Sequence, residues 1–282
     1  MIEQRDIEVD NGVRIHVSTC GKGSPIVLLH GHSLDSRMWA EQIEDFKKSH
    51  YVVNIDLRGY GLSSPQSEDV PFTHEADVRK VLDVLGVEKA HFVGLSMGAF
   101  IVGDIMAVHP ELCLSCTLVS GGIRNTPGPN TPPDSAEIAR RTNEIARVEA
   151  IGVDSMKRQW LNALLSSAGS HRDRIVEPLR EMVTDWSAWQ ATHHEVHCYL
   201  GKDAMRALQD RNRTDLSVLF IRGSNEVKDV ARRPREMDYL SDGRYVILDD
   251  CGHMLNMERP AEFNELVLGF IGEVEKSWLN HH

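Results

Sequence analysis

Gly94-Leu95-Ser96-Met97-Gly98 stands between an apolar, strand-like run (Ala90-His91-Phe92-Val93) and a helix-like run from Ala99 to Val108. A serine between glycines at a strand-to-helix turn is the layout of a nucleophile elbow. The turn is tight and the serine backbone strained. Side chains at the flanking positions would crowd it, so glycine fits there. Such a turn lifts the hydroxyl clear of the sheet and aims the next N–H groups at an incoming carbonyl. The plainer alternative is a turn whose glycines only allow close packing. Three other segments weigh against it.

Ile26-Val27-Leu28-Leu29 is a buried apolar strand that runs straight into His30-Gly31-His32. Gly31 lets the backbone pass close to the serine, so the N–H of His32 becomes one candidate oxyanion donor and that of Met97 the other. Two such donors are usually the largest electrostatic contribution to acyl transfer. The side chains of His30 and His32 are expected to shape the loop. Near the C-terminus a strand (Arg244–Leu248) leads into Asp249-Asp250-Cys251-Gly252-His253. His253 lies downstream of Ser96, as the order serine, acid, histidine requires. Between them Val218–Arg222 ends at Gly223, and Glu226 follows three residues later. An acid there reaches the histidine Nδ1–H, fixing its tautomer and stabilising the imidazolium. Asp229 is a rival in the same loop. Asp250 is nearer to His253 in sequence, but residues beside a loop histidine usually point elsewhere. The strand ending at Ser120-Gly121-Gly122 offers no carboxylate.

These segments, with Asp56-Leu57-Arg58-Gly59-Tyr60-Gly61-Leu62-Ser63 and His109-Pro110-Glu111, resemble the α/β-hydrolase fold over nearly the whole chain. The pattern of His30-Gly31, Asp35-Ser36, Trp39 and the serine pentapeptide is most similar to small esterases and 3-oxoadipate enol-lactonase-like hydrolases. The resemblance implies a Ser96–His253–Glu226 triad and no cofactor. Glu226 departs from the aspartate usual in that branch, although other members use glutamate. Haloalkane dehalogenases and epoxide hydrolases of the fold carry aspartate at the position of Ser96, which argues against both. A carbon–carbon bond hydrolase of the meta-cleavage type uses the same triad, and thioester or amide cleavage stays open. A different class is a small-ligand sensor that keeps the triad but turns over slowly and binds a partner.

Short apolar strands alternating with helices predict an α/β domain: a mainly parallel sheet flanked by helices, opened by an antiparallel hairpin around Asp10-Asn11-Gly12. The alternation breaks from Ile123 to Thr214. Residues 1–122 and 215–282 are therefore assigned to the core and 123–214 to a helical cap, entered by a proline-rich stretch. Cap helices are expected at Ser135–Ile151, Asp154–Leu165, Arg172–Thr184, Trp186–Tyr199 and Lys202–Gln209. Trp160, Trp186 and Trp189, with Leu161, Leu164 and Met182, are candidates for an apolar substrate pocket. Arg124 and Arg158 could hold a substrate carboxylate, though nothing local sets them apart from surface arginines.

The formal charge of -11 over 282 residues argues against nucleic acid and anionic membranes as partners. The expected partner is a small ester or lactone. The fold also admits a homodimer, whose interface the sequence does not display. Five cysteines are an odd number and form no disulfide framework. Cys113-Leu114-Ser115-Cys116 has C-x-x-C spacing but reads as an apolar connection between the elbow helix and the next strand. His193, His194 and His197 fall at helical spacing. They read as a polar helix face, and no metal is expected. No secretory leader and no apolar run of membrane-spanning length are visible, so cytoplasmic residence is the expectation.

Overall fold

The computed structural model describes residues 2–211, 214–226 and 233–281. Eight strands form one sheet: β1 (Glu3–Asp10), β2 (Val13–Gly21), β3 (Pro25–Leu29), β4 (Tyr51–Ile55), β5 (Ala90–Leu95), β6 (Cys113–Val119), β7 (Thr214–Gly223) and β8 (Leu240–Leu248). Their order is β1-β2-β4-β3-β5-β6-β7-β8. β1 and β2 pair antiparallel, as do β2 and β4. From β4 onward every pair is parallel. The hairpin turns at Asn11-Gly12, where Gly12 takes φ +81°.

The helices are α1 (Ala40–Phe46), α2 (His74–Leu85), α3 (Met97–Val108), α4 (Ser135–Ile151), α5 (Val153–Leu164), α6 (Arg172–Asp185), α7 (Trp189–Thr192), α8 (Lys202–Asp210), α9 (Leu255–Glu258) and α10 (Pro260–His281). β3 shows why the sheet needs cover on both sides. Alternate side chains point to opposite faces. Val27 and Leu29 enter a core shared with α2, α3 and α8, while Ile26 and Leu28 enter one shared with α1, α6 and α10. An uninterrupted apolar run is what such a doubly covered strand requires.

Parallel pairing brings the C-terminal ends of β3, β5, β6, β7 and β8 to one edge. The loops after those strands carry the residues singled out in the sequence. The stretch between β6 and β7 holds α4 to α8. α5 joins the two cores, with Met156 and Trp160 against one and Leu164 in the other.

Three expectations are corrected. The helix foreseen over Trp186–Tyr199 is only the four-residue α7, which begins after Ala188 in a left-handed conformation (φ +57°) and stops at His193, whose backbone is extended. Beyond it the chain is tied to the core by His74 N–H donating to the Cys198 carbonyl (3.1 Å). His193, His194 and His197 therefore share no helix face. His193 stacks on Trp189, His194 is exposed, and His197 Nε2 meets Glu137 at 2.9 Å. Finally, Cys113–Cys116 lies inside β6, paired with β5 and, at Cys116, with β7, and both cysteines are buried there. All five cysteines are buried and unpaired with one another. α1 and the 3-10 turn before it (Ser36–Trp39) were not foreseen, although Asp35 caps that turn by accepting from Arg37 N–H.

Candidate active site

β5 is buried along its whole length and ends at Ser96, which caps α3 with φ +54° and ψ -106°. A non-glycine residue in that region costs on the order of 1–3 kcal/mol and persists only where its surroundings impose it. Here Ser96 N–H donates to the Val119 carbonyl (2.8 Å), and the Ser96 carbonyl accepts from Phe100 N–H (3.1 Å). The flanking glycines have a steric cause. A Cβ on Gly94 would lie 2.3 Å from the Gly98 carbonyl oxygen, and one on Gly98 would lie 2.0 Å from that of Leu29. The first turn of α3 can cross β5 and β3 only because both are bare.

The loop after β3 is shaped by His30. Its Nε2 accepts from Leu57 N–H (2.9 Å), which leaves the proton on Nδ1, facing the Gly31 carbonyl (2.8 Å). Burial pushes His30 below its ordinary pKa and keeps it neutral. His32 follows, with Nδ1 at 2.7 Å from the Tyr60 hydroxyl. Its ring meets Trp186 and Trp160 edge-on at centroid distances of 5.1 and 5.6 Å. Burial first, and then the Arg124 charge, lower its pKa to about 4.

His253 arrives from the loop after β8. Its Nδ1 lies 3.0 Å from Glu226 Oε1, and the other carboxylate oxygen accepts from Ser120 Oγ at 2.6 Å. Burial acts to raise the Glu226 pKa. The hydrogen bond and charge of His253, with the Ser120 hydroxyl, outweigh it and hold the carboxyl below its usual range. The two loops are sewn together by Ser224 N–H to the Leu248 carbonyl (2.9 Å) and Asn225 N–H to the Cys251 carbonyl (3.0 Å). Gly223 lets them cross, since a Cβ there would lie 2.4 Å from the Cys251 and Gly252 carbonyl oxygens. Asp250 turns away to Ser170, from whose N–H it accepts at 3.0 Å. Asp229 lies outside the described residues.

Ser96 and His253 line one cavity of about 220 Å³, together with Gly31, His32, Met254 and three residues of α5: Trp160, Ala163 and Leu164. Trp160 is fixed by its indole N–H, which donates to Ser33 Oγ (2.6 Å). Trp186 and Trp189, expected in the pocket, do not line this cavity. Trp186 is buried and donates to Gln190 Oε1 (2.8 Å), while Trp189 is occupied by its stack on His193. Met182 belongs to the packed core. Met97 is the first residue of α3, directly after Ser96. Among the described residues no group of three or more His, Cys, Asp and Glu side chains could hold a metal ion, and no helix is long and apolar enough to cross a membrane.

Residues 26–266 match the model of the alpha/beta hydrolase family. The chain belongs to that family. A relative in Azorhizobium caulinodans, whose name of carbamate hydrolase RutD is provisional, is 27% identical over 91% of this chain and 94% of its own. The 2-hydroxy-6-oxononadienedioate/2-hydroxy-6-oxononatrienedioate hydrolase of Comamonas testosteroni is 25% identical over 92% of this chain and 91% of its own. Among solved structures, Est816, described as an N-acyl homoserine lactone degrading enzyme, superposes with a TM-score of 0.67 at 25% identity, covering 94% of this chain and 100% of its own.

In this alpha/beta hydrolase the structure thus brings Ser96, His32 and His253 to one cavity and sets Glu226 behind His253. Sequence reading missed Ser120 as a partner of Glu226, because the two are 106 residues apart. It also missed Ala163 and Met254 as cavity residues. Small or apolar side chains on a helix or loop carry no local sign of facing a site.

Proposed function

We propose that the chain is a serine hydrolase of small carboxylic esters or lactones that works through an acyl-enzyme. The observation that carries this reading is Ser96 at a strained elbow, sharing its cavity with a histidine whose Nδ1 is held by Glu226. With the proton on Nδ1, Nε2 of His253 is free to act as base. Ser96 Oγ attacks the carbonyl carbon as Nε2 takes its proton. The oxyanion is received by the N–H groups of His32 and Met97. Nε2 then protonates the departing alkoxide, which leaves Ser96 acylated. Water attacks the acyl carbon, giving its proton to Nε2, and the acid departs as Ser96 recovers the proton. Glu226 stays ionised throughout and stabilises the imidazolium.

The helices of 123–214 serve as the cap that selects the acyl group, an assignment supported by Trp160, Ala163 and Leu164 in the cavity wall. A volume near 220 Å³ suits a short chain. The lactone-degrading neighbour supports the ester and lactone class. The Comamonas relative supports a second reading, cleavage of a carbon–carbon bond in an oxo-dioate by the same residues.

The test is turnover of p-nitrophenyl esters from acetate to octanoate, run beside Ser96→Ala. Turnover with a short-chain optimum, lost in the variant, is expected. Equal and negligible rates in both proteins would favour the second reading.

A further inference from the structure

Gly31, His32, Ser33 and Leu34 form a tight turn after β3. Leu34 N–H donates to the Gly31 carbonyl at 3.3 Å, and His30 Nδ1 faces the same oxygen at 2.8 Å. Gly31 N–H is spent on Met38 Sδ (3.3 Å). The ends of the turn are therefore tied to nearby segments. Its two central residues are His32 and Ser33. Among the described residues the His32 N–H donates to no carbonyl and no side chain, as a group kept for an oxyanion must.

Ser33 is strained. It is wholly buried and takes φ +64°. The third position of a turn accepts a positive φ readily when glycine or asparagine stands there. In another residue such a conformation persists only where the surroundings impose it. Among the described residues the Ser33 hydroxyl has one hydrogen-bond partner, which comes from 127 residues away: the indole N–H of Trp160, at 2.6 Å. The Trp160 ring also meets the His32 ring edge-on, at a centroid distance of 5.6 Å. One side chain thus grips both central residues of the turn.

The bond joins two parts of the molecule. Other α5 side chains keep their hydrogen bonds within the segment between β6 and β7. Lys157 donates to the Thr184 carbonyl (2.7 Å), Arg158 to Ser155 (2.9 Å), and Gln159 accepts from Arg147 (3.4 Å). Of the α5 side chains described, Trp160 is the one whose hydrogen bond crosses to the loop after β3. It also lines the cavity that holds Ser96 and His253. A substrate there lies against the side chain that clamps the turn. Were Ser33 to relax to a negative φ, the turn would reopen and the His32 N–H, one residue back, would lose its aim.

Resting on the serine-hydrolase reading, we propose that Trp160 is a positioning residue: its indole N–H holds Ser33 in the left-handed turn and so aims the His32 N–H at the oxyanion. The oxyanion hole is then complete only while α5 sits on the loop after β3. Trp160 itself makes and breaks no bond with the substrate.

Two measurements decide it. The first is steady-state kinetics on the best p-nitrophenyl ester. Trp160→Phe keeps an aromatic ring at the cavity and removes the N–H, while Ser33→Ala removes the acceptor. Each should lower kcat about tenfold and leave KM within about twofold. The double variant should be no slower than the slower single one, because both remove the same bond. Ser33→Gly, which takes a positive φ without strain, should keep more of kcat than Ser33→Ala. A trifluoromethyl ketone, whose tetrahedral adduct puts an oxyanion in the hole, should lose affinity in step with kcat. A loss confined to KM, losses that multiply in the double variant, or a Ser33→Gly no faster than Ser33→Ala would overturn the proposal.

The second measurement, amide hydrogen exchange, needs no turnover. Leu34 N–H closes the turn, and in Trp160→Phe it should exchange about tenfold faster or more. An unchanged rate overturns the proposal. Faster exchange in the variant, with no ester hydrolysed even by the wild type, would sink the serine-hydrolase reading and keep Trp160 as the clamp of the turn. Ester turnover that needs Ser96 but is indifferent to Trp160→Phe would do the reverse.

Discussion

Ser120 Oγ donates to one oxygen of Glu226 at 2.6 Å while the other oxygen faces His253 Nδ1 at 3.0 Å. The carboxylate is held from two sides, by β6 and by the loop after β8. Ser120 itself takes φ +50°, a strained backbone at the strand end that turns its hydroxyl toward Glu226. Hydrogen bonds to a charged acceptor are each worth roughly 1.5–3 kcal/mol. Ser120→Ala should lower kcat/KM about tenfold. It should also raise the pH at which turnover fades on the acid side, because Glu226 loses a donor that favours its ionised form. A pH–rate profile identical to wild type would mean that the serine only fills space.

Glu226→Gln keeps the shape of the acid and removes its charge. Turnover should fall by about 10³-fold or more, the scale seen when a triad acid is neutralised. Asp229→Asn should stay within a few-fold of wild type. The opposite pair of results, read from kcat/KM on the best p-nitrophenyl ester, would transfer the role to Asp229.

In the proposed reaction His32 acts through its backbone N–H, while its ring packs among Tyr60, Trp160 and Trp186. His32→Ala should therefore lower the melting temperature and raise KM, with kcat reduced by less than the roughly 10²-fold typical of a lost oxyanion donor. A kcat loss beyond that scale, with the melting temperature unmoved, would put the ring itself in the chemistry.

Two glycines should respond in opposite ways. Gly98→Ala forces a Cβ to 2.0 Å from the Leu29 carbonyl oxygen, so it should destabilise the fold by about 3 kcal/mol or more and abolish turnover. Gly269 lies in α10 with nothing within 4 Å of its Cβ position. Gly269→Ala should stabilise by about 0.5–1 kcal/mol through helix propensity. Denaturant melts of both variants check the pair; a neutral Gly98→Ala would refute the close crossing of α3 over β3.

His74 is fully buried, and among the described residues neither ring nitrogen has a hydrogen-bond partner. Burial first, and then the neighbouring His30 and the Arg58 charge, which would both oppose a second cation there, lower its pKa from the ordinary 6.5 to about 3. Between those values the unfolded chain binds a proton that the native state refuses. Its contribution to stability is therefore complete above pH 6.5 and declines as pH falls toward 3. His74→Phe, which suits the surroundings of Phe72 and Tyr199, should flatten the fall in melting temperature between about pH 7 and about pH 4. Parallel curves for the two proteins would contradict this.

What could be read from the sequence was local and steric. Gly94 and Gly98 mark a crossing that only bare backbone permits, and the alternation of apolar runs marks strands buried on both sides. The placement of Glu226 beside His253 was legible because it follows a strand end by a fixed offset. The contacts that shape the site were not legible, because they join distant segments: Ser120 to Glu226 and Trp160 to Ser33. The segment after α7 misled because His193, His194 and His197 imitate helical spacing. There a tertiary hydrogen bond from His74 to the Cys198 carbonyl and the stack on Trp189 hold a chain without regular structure. α1 was missed because seven residues carry too few apolar positions to show a period.

The most direct test of the central claim is covalent labelling with a fluorophosphonate, followed by peptide mass spectrometry. One adduct per chain is expected, on Ser96, absent in Ser96→Ala and slowed by about 10²-fold or more in His253→Ala, where the base is gone. A wild-type protein left unlabelled, or labelled on another residue, would contradict the assignment of Ser96 as the nucleophile.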